Sequence, residues 1–390
     1  MLNPKYLTMP IDRLAFELSS QKNPDAKHIL QQVEGWQRLH SKVPTWTSKE
    51  GIEFPPRLAL EQCSGEVAAR YKTQVVKRLF PNKATSMVDL TGGFGVDFSF
   101  IAPFFDEAVY VERQDALCAL AKHNFPLLEL SNAKIVHTDG IDYLKQMQPV
   151  DLIFIDPARR SQSGKKVVFI EDCEPDVCQS LRLLLEKATY VMVKLSTMLD
   201  ITASVQSLNC VKEVHVVAVG GECKDLLLIL DKQVDNKNVS PQFFVNENGI
   251  LLQYTREEEQ GAQISYASVL KCYLYEPGAA MMKAGAFKFL GHRYGLEKLN
   301  PNTHLYTSNS LVDKFPGRAF EIKECLSFNK KDIKKLSTYG QKANLTVRNF
   351  PTTVDVLRKK LRLKEGGDVY LFATTYANNQ HILIVCKKIL

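Results

Sequence analysis

No apolar run in this 390-residue chain is long enough to cross a bilayer, which excludes a transmembrane helix of the usual kind. The first twenty residues, MLNPKYLTMPIDRLAFELSS, lack the basic, apolar and small-residue succession of a secretory signal. Their acidic residues also depart from a transit peptide. No CxxC pair occurs among the nine cysteines, at 63, 118, 173, 178, 210, 223, 272, 325 and 386. An odd, scattered set reads as reduced thiols rather than a disulfide frame or a zinc site. Cys173 and Cys178, five residues apart, align poorly on one helix for joint ligation. These absences predict a cytoplasmic protein without a metal and without a membrane partner.

Charge is unevenly distributed. The net charge is +7, yet residues 321–390 alone hold 14 Lys and Arg against 6 Asp and Glu. The first 320 residues are therefore close to neutral. A local basic excess suits a polyanion, because each neutralised phosphate releases counterions, and it predicts a nucleic-acid partner.

Residues 1–85 read as a helical region. Ile29, Leu30, Val33, Trp36 and Leu39 recur at helical spacing, and Ser64 is placed to cap a helix running through Lys72 toward Phe80. From Ser86 the pattern changes to short runs rich in Val, Ile and Leu: 87–91, 108–112, 133–138, 150–156, 189–195, 213–219 and 225–230. Such runs, alternating with helical stretches, predict strands buried on both faces of a doubly wound sheet. The last two are joined by GGECK, too short for a helix, and so predict an antiparallel pair at one edge. Residues 232–240 are polar and read as a linker. Beyond them lie a middle region, a basic helical stretch, a further strand and helix, and two strands joinable as a hairpin at Ala377-Asn-Asn. The expected domains are 1–85, 86–235, 241–325 and 326–390.

The motifs that carry chemistry lie at the ends of successive strands. The first is VDLTGGFGVD, an acid at a strand end followed by a glycine turn. A dinucleotide fingerprint would place a third glycine where Phe98 stands, and the absence of GKS or GKT excludes a phosphate loop. Asp89 before Gly92, Gly93 and Gly95 suits a cofactor with an amino-acid group rather than a pyrophosphate. Glu112, followed by Arg113, ends the second strand, where a carboxylate accepts both hydroxyls of a ribose. Asp139 follows the third strand, placed for an adenine amino group, and Gly140 leaves the backbone open to the ring. Each acid equally suits a helix N-cap, and the two roles are compatible. The fourth strand ends in Asp156-Pro157-Ala158-Arg159-Arg160, and Asp156 should face the reacting group.

In order and spacing, DLTGGFG, Glu112, Asp139 and DPAR resemble the class I S-adenosylmethionine-dependent methyltransferases over roughly residues 86–230. That resemblance implies a Rossmann-like, seven-stranded α/β sheet with an antiparallel edge strand, and S-adenosylmethionine as cofactor. KANLTVRNFP and RKKLRLKEGGDVYLF are similar to the tail of bacterial methyltransferases with a THUMP-like domain. EPGAAMMKAGAF and FPGRAFE look like the ferredoxin-like α+β domain that precedes it, and the pair implies an RNA substrate. Amino-group enzymes of the superfamily carry a second proline and then an aromatic, where this chain has Ala158 and Arg159. Uracil C5 enzymes need a cysteine near the end of the next strand, where this chain reads VMVKLSTMLD.

Methyl transfer from a sulfonium needs mainly in-line approach and proximity. Asp156, with Pro157 fixing the backbone, is expected to orient or deprotonate the nucleophile. Lys194 is expected to contact the substrate or pair with Asp156. Arg159, Arg160, Lys165 and Lys166 are placed to hold phosphates. Glu222 and Lys224 are lesser candidates at the same rim, and the Thr91 hydroxyl is expected against the methionine end of the cofactor. Two other readings stay open: a methyltransferase acting on a small molecule or a protein, and a non-catalytic RNA-binding protein retaining a cofactor fold.

Overall fold

The computed structural model describes residues 3–82, 84–159 and 169–389, with the backbone alone for Arg159. Arg160, Lys165 and Lys166 lie outside the described residues. The chain forms two compact units, Met1–Lys212 with Asp225–Val239 and Glu213–Lys224 with Ser240–Leu390.

The first unit is built on β1 (Ser86–Asp89), β2 (Glu107–Glu112), β3 (Ala133–His137) and β4 (Val150–Ile155). A short ribbon of β5 (Ala158–Arg159) and β6 (Cys173–Glu174) follows, then β7 (Ala188–Leu195). Two more strands, β8 (Val211–Val219) and β9 (Glu222–Leu230), are joined through Gly220 and Gly221, both at positive φ, and the stretch Glu213–Lys224 around this join belongs to the second unit. Within this unit the order is β9-β7-β4-β1-β2-β3. All neighbours are parallel except β9, which runs antiparallel to β7 from Val191 opposite Leu230 to Leu195 opposite Leu226. The chain winds outward from β1 to β3 and then returns to β4 on the other side of β1. The carboxyl ends of β1 and β4 therefore flank a topological switch point, where open α/β sheets bind ligands.

Consecutive burial shows why these runs became central strands. Leu152, Ile153, Phe154 and Ile155 are all buried, as are Val191, Met192 and Val193, so both faces of the sheet are covered. Each such side chain contributes about 1.5–3 kcal/mol.

The N-terminal helices belong to this unit. Helix Ala26–Leu39 buries Val33 and Leu39, as its spacing predicts, and also Gln32 and Gly35. The Gln32 amide pairs with the backbone of Phe54, donating to its carbonyl at 3.1 Å and accepting from its N–H at 2.8 Å. Trp46 donates to Ser99 Oγ at 3.0 Å and packs on Phe94 at 4.7 Å. Helix Glu66–Leu79 starts after Gly65, not at a Ser64 cap. The Ser64 hydroxyl instead donates to Asp97, at 2.6 Å.

In the second unit β8 pairs in parallel with β10 (Gln242–Glu247), which pairs antiparallel with β11 (Ile250–Tyr254). This changes the expected antiparallel edge: β9 is the antiparallel strand against β7, and β8 is not an edge because β10 covers it. The turn between β10 and β11 is Asn248-Gly249, both at positive φ. Asn-Gly between apolar runs is a hairpin signal that the reading above passes over.

The rest of the unit is one sheet in the order β13-β14-β12-β15-β18-β17-β16. Its strands are β12 (Tyr273–Pro277), β13 (Glu297–Asn300), β14 (Thr303–Ser308), β15 (Gly317–Ser327), β16 (Asn344–Arg348), β17 (Val369–Tyr376) and β18 (Gln380–Lys388). The division expected near residue 325 falls inside β15, which pairs with β12 on one side and β18 on the other. The expected hairpin is β17–β18, turning through Asn378 and Asn379 at positive φ. The buried Glu276 of β12 accepts from Arg318 of the neighbouring β15 at 2.8 Å and from Arg348 of the edge strand β16 at 2.9 Å, linking the interior of the sheet to one edge. Among the described residues no helix is long and apolar enough to cross a membrane.

Gly35 offers a direct check of the N-terminal packing, because a Cβ there would lie 2.3 Å from the Phe54 Cβ. Gly→Ala gains about 1 kcal/mol of helix propensity, but overpacking costs about 1–3 kcal/mol. Gly35→Ala should therefore lower the denaturant midpoint, and a raised midpoint would contradict the packing.

Candidate active site

The turn after β1 is held by its own backbone and by the next strand. Gly92 donates to the Val111 carbonyl at 2.8 Å, and Gly95 donates to the Gly92 carbonyl at 2.9 Å. Gly95 opens helix Val96–Ile101 from a φ of 87°, a region that L side chains enter only with strain. The Tyr110 hydroxyl donates to the Gly93 carbonyl. At Gly140 the need is proximity rather than φ: a Cβ would sit 2.1 Å from the Leu90 carbonyl oxygen.

Three carboxylates line the ends of β1, β2 and β3. Asp89 is buried and accepts from the Thr91 N–H at 2.9 Å. Burial pushes its carboxyl well above the usual range; the Thr91 bond opposes this, and Asp97, Asp156 and Glu112 reinforce it. Glu112, also buried, accepts from Gly93 N–H through one oxygen and from Gln114 N–H through the other, both at 2.8 Å. Asp139 caps helix Gly140–Gln146, accepting from Ile141 at 2.8 Å and Asp142 at 3.2 Å through a single oxygen. Arg113 points elsewhere, pairing with Glu174 of β6 at 2.7 Å with most of its side chain exposed. The Thr91 hydroxyl accepts from the Asp156 N–H at 2.7 Å. It thus ties the glycine turn to the end of β4.

Asp156 follows β4, and Lys194 lies on the neighbouring β7 one residue beyond Val193, the partner of Ile155. The Lys194 ammonium donates to Asp156 and lies 3.9 Å from Asp97. Burial alone would lower the Lys194 pKa, but Asp156, Asp97 and Asp225 outweigh it and hold the ammonium above its ordinary range. Asp156 moves up from the usual carboxylate value, because burial exceeds the attraction of Lys194.

A second lysine completes the cluster, one that sequence reasoning missed. Lys72 of helix Glu66–Leu79 is 0% exposed. Its ammonium ion-pairs with Asp225 of β9, lies 2.9 Å from Asp97 and donates to Ser64 at 3.2 Å. Burial would raise the Asp97 pKa, but Lys72 and Lys194 overcome it and hold the carboxyl low. Two ammonium groups thus face three carboxylates. The only advance signal was a lysine among Ala68, Ala69, Val75 and Val76, on the buried face of its helix. Asp97 stood within the glycine motif and Asp225 at the head of a strand run, neither singled out. Glu222 and Lys224, lesser candidates above, pair with each other in the second unit.

This donor set fits one kind of ligand. A pyrophosphate would meet the carboxylates of Asp89 and Glu112, whereas an ammonium, a ribose diol and an exocyclic amine each find an acceptor. Among the described residues no group of His, Cys, Asp and Glu is arranged to hold a metal ion.

Removing one partner from a buried ion cluster costs about 3–5 kcal/mol, because the remaining charges are stranded. Lys72→Met should therefore destabilise the protein by that amount in denaturant unfolding. Adding Asp97→Asn and Asp225→Asn should recover most of the loss, and full additivity of the three costs would contradict the cluster.

A ferredoxin-like domain family matches residues 273–316, and a THUMP domain-like family matches residues 317–388. A Mycobacterium tuberculosis H37Rv protein, described as an uncharacterised S-adenosylmethionine-dependent methyltransferase, is 22% identical over 78% of this chain and 80% of its own. An uncharacterised RNA methyltransferase of Mycoplasma mobile is 31% identical over 37% of this chain and 39% of its own. A solved structure from Porphyromonas gingivalis W83, assigned as a candidate methyltransferase, is 35% identical, with a TM-score of 0.86 over 99% of this chain and 96% of that one. With that identity over nearly the full length of both chains, the protein belongs to the S-adenosylmethionine-dependent methyltransferases that carry a C-terminal THUMP-like domain.

Proposed function

We propose that the protein methylates RNA, with Asp156 of DPARR orienting the acceptor. The observation that carries the chemistry is the Asp156–Lys194 pair at the switch point, beside a turn lined by acceptors. In this reading Asp89 and the backbone of 91–95 hold the methionine end of the cofactor. Glu112 holds the ribose, and Asp139 with Gly140 the adenine. S-adenosylmethionine supplies an electrophilic methyl group on a sulfur that leaves neutral. Residues 86–235 carry the chemistry, and the basic segment 326–390, which lies within the THUMP-like match, holds the substrate.

Charge and likeness support RNA. Lys330, Lys331, Lys334 and Lys335 follow one another on an exposed basic helical stretch, and Lys359, Lys360, Arg362 and Lys364 are exposed near the end of the next helix. The THUMP-like match spans all of them, and the Mycoplasma mobile relative is named an RNA methyltransferase. Arg159, Arg160, Lys165 and Lys166 remain proposed phosphate contacts.

Two measurements test the reading. Asp89→Asn should weaken S-adenosylmethionine binding at least about tenfold in calorimetry, a loss of roughly 1.4 kcal/mol. Its stability at neutral pH should match or exceed wild type. A carboxyl whose folded pKa is raised binds its proton more tightly when folded, so it costs stability as pH rises through that range. By the same sign, a ligand ammonium favours ionised Asp89, and wild-type affinity should rise with pH above the ordinary carboxylate range. Binding to total cellular RNA should weaken with salt, and neutralising Lys330, Lys331, Lys334 and Lys335 to Gln should flatten the log–log slope by about one per lost phosphate contact. Absent or salt-insensitive RNA binding would favour a small-molecule or protein acceptor. Absent cofactor binding by the intact protein would favour a non-catalytic role.

A further inference from the structure

We infer that the atom methylated is a hydroxyl oxygen, the 2′-hydroxyl of a ribose; this rests on the RNA reading and names its target. The three kinds of acceptor in RNA make different demands on the groups around them, and the residues at the end of β4 meet only one.

A ring carbon needs a thiolate to activate the base. The end of β7 has no cysteine. Cys63 donates to the Leu60 carbonyl at 3.2 Å. Burial pushes its thiol up despite Lys42, so it stays protonated.

A base nitrogen acquires positive charge as it takes the methyl group. It is served by a neutral or negative surrounding and by an aromatic face to hold the base. Residues 157–168 contain no aromatic side chain. The Lys194 ammonium sits directly on Asp156, where it would repel a nitrogen becoming cationic. Asp156, Asp97 and Asp225 favour its charged form, and the buried Lys72 pairs with the last two of those carboxylates.

A hydroxyl has the opposite needs. It is a weak acid and a weak nucleophile, and negative charge grows on oxygen as its proton leaves. It needs a proton acceptor and a fixed cation at the same point. Asp156 and Lys194 are that pair. The acceptor O–H bond breaks toward an Asp156 carboxylate oxygen, an O–CH3 bond forms, and the electron pair of the S–CH3 bond stays on sulfur. Asp156 then returns the proton to solvent, to which its side chain is 35% exposed. Its raised pKa makes it a better proton acceptor than a solvated carboxylate. Lys72, Asp97 and Asp225 touch no reacting atom and act as positioning residues.

The test compares RNA from cells with and without the gene, by nucleoside mass spectrometry and by alkaline hydrolysis, which 2′-O-methylation blocks at the modified nucleotide. One 2′-O-methylated nucleotide should disappear in the deletion and return with wild type but not with Lys194→Met. Purified Lys194→Met should bind S-adenosylmethionine within about threefold of wild type by calorimetry while transferring at least about 10²-fold more slowly. Lys194→Arg, which keeps the cation, should transfer faster than the Met variant. A missing base-methylated nucleoside with all 2′-O-methylation intact would overturn the hydroxyl assignment and leave the RNA reading standing. No change in any RNA nucleoside would overturn both.

Discussion

The ion cluster beneath the switch point is the constraint on which the rest of the first unit depends. Burying ammonium and carboxylate groups costs several kcal/mol for each ion, and only tight mutual pairing offsets it. Lys72, Lys194, Asp97, Asp156 and Asp225 come from two helices and three strands, so the offset exists only when all five elements are in place. The helical region before the sheet is therefore part of the ion cluster, through Lys72. Such a cluster is a poor source of net stability and a good source of specificity, because each misplacement strands a charge in a low-dielectric interior.

The cluster also connects the cofactor turn to the chemistry. Asp97 lies in the first turn of the helix opened by Gly95, so the glycine turn is anchored by Lys72. The Thr91 hydroxyl accepts from the Asp156 backbone, and the Asp89 carboxylate accepts from Thr91. Asp156 is thereby fixed at its backbone by the cofactor turn and at its side chain by Lys194. In the proposed function methyl transfer asks mainly for in-line approach, and such double anchoring would hold Asp156 rigid for it.

What could be read from the sequence was what is local in it. A strand, its terminal acid and the glycine turn after it lie within ten residues of one another, and Asp89, Glu112, Asp139 and Asp156 all occupy the strand ends where pattern placed them. Lys72 and Asp225 are 153 residues apart in the chain, and no local pattern marks a lysine that is solvated by carboxylates from elsewhere. Ser64 had the residue type and spacing of a helix cap, but the demand for a donor at Asp97 was stronger. Arg113 lies one residue past the end of β2, where its side chain reaches Glu174. The hairpin at Asn248-Gly249 was legible and passed over, and its strand β10 is what removes β8 from an edge.

The central claim is that the acidic crevice at the ends of β1 to β4 holds the cofactor and presents its reactive end to Asp156 and Lys194. A crystal structure of the protein with S-adenosylmethionine tests this most directly. The account requires the ribose hydroxyls within hydrogen-bond distance of the Glu112 carboxylate, the α-ammonium beside Asp89, and the methyl group facing the Asp156–Lys194 pair. A cofactor bound outside that crevice, or with its methyl group turned away from Lys194, would contradict it.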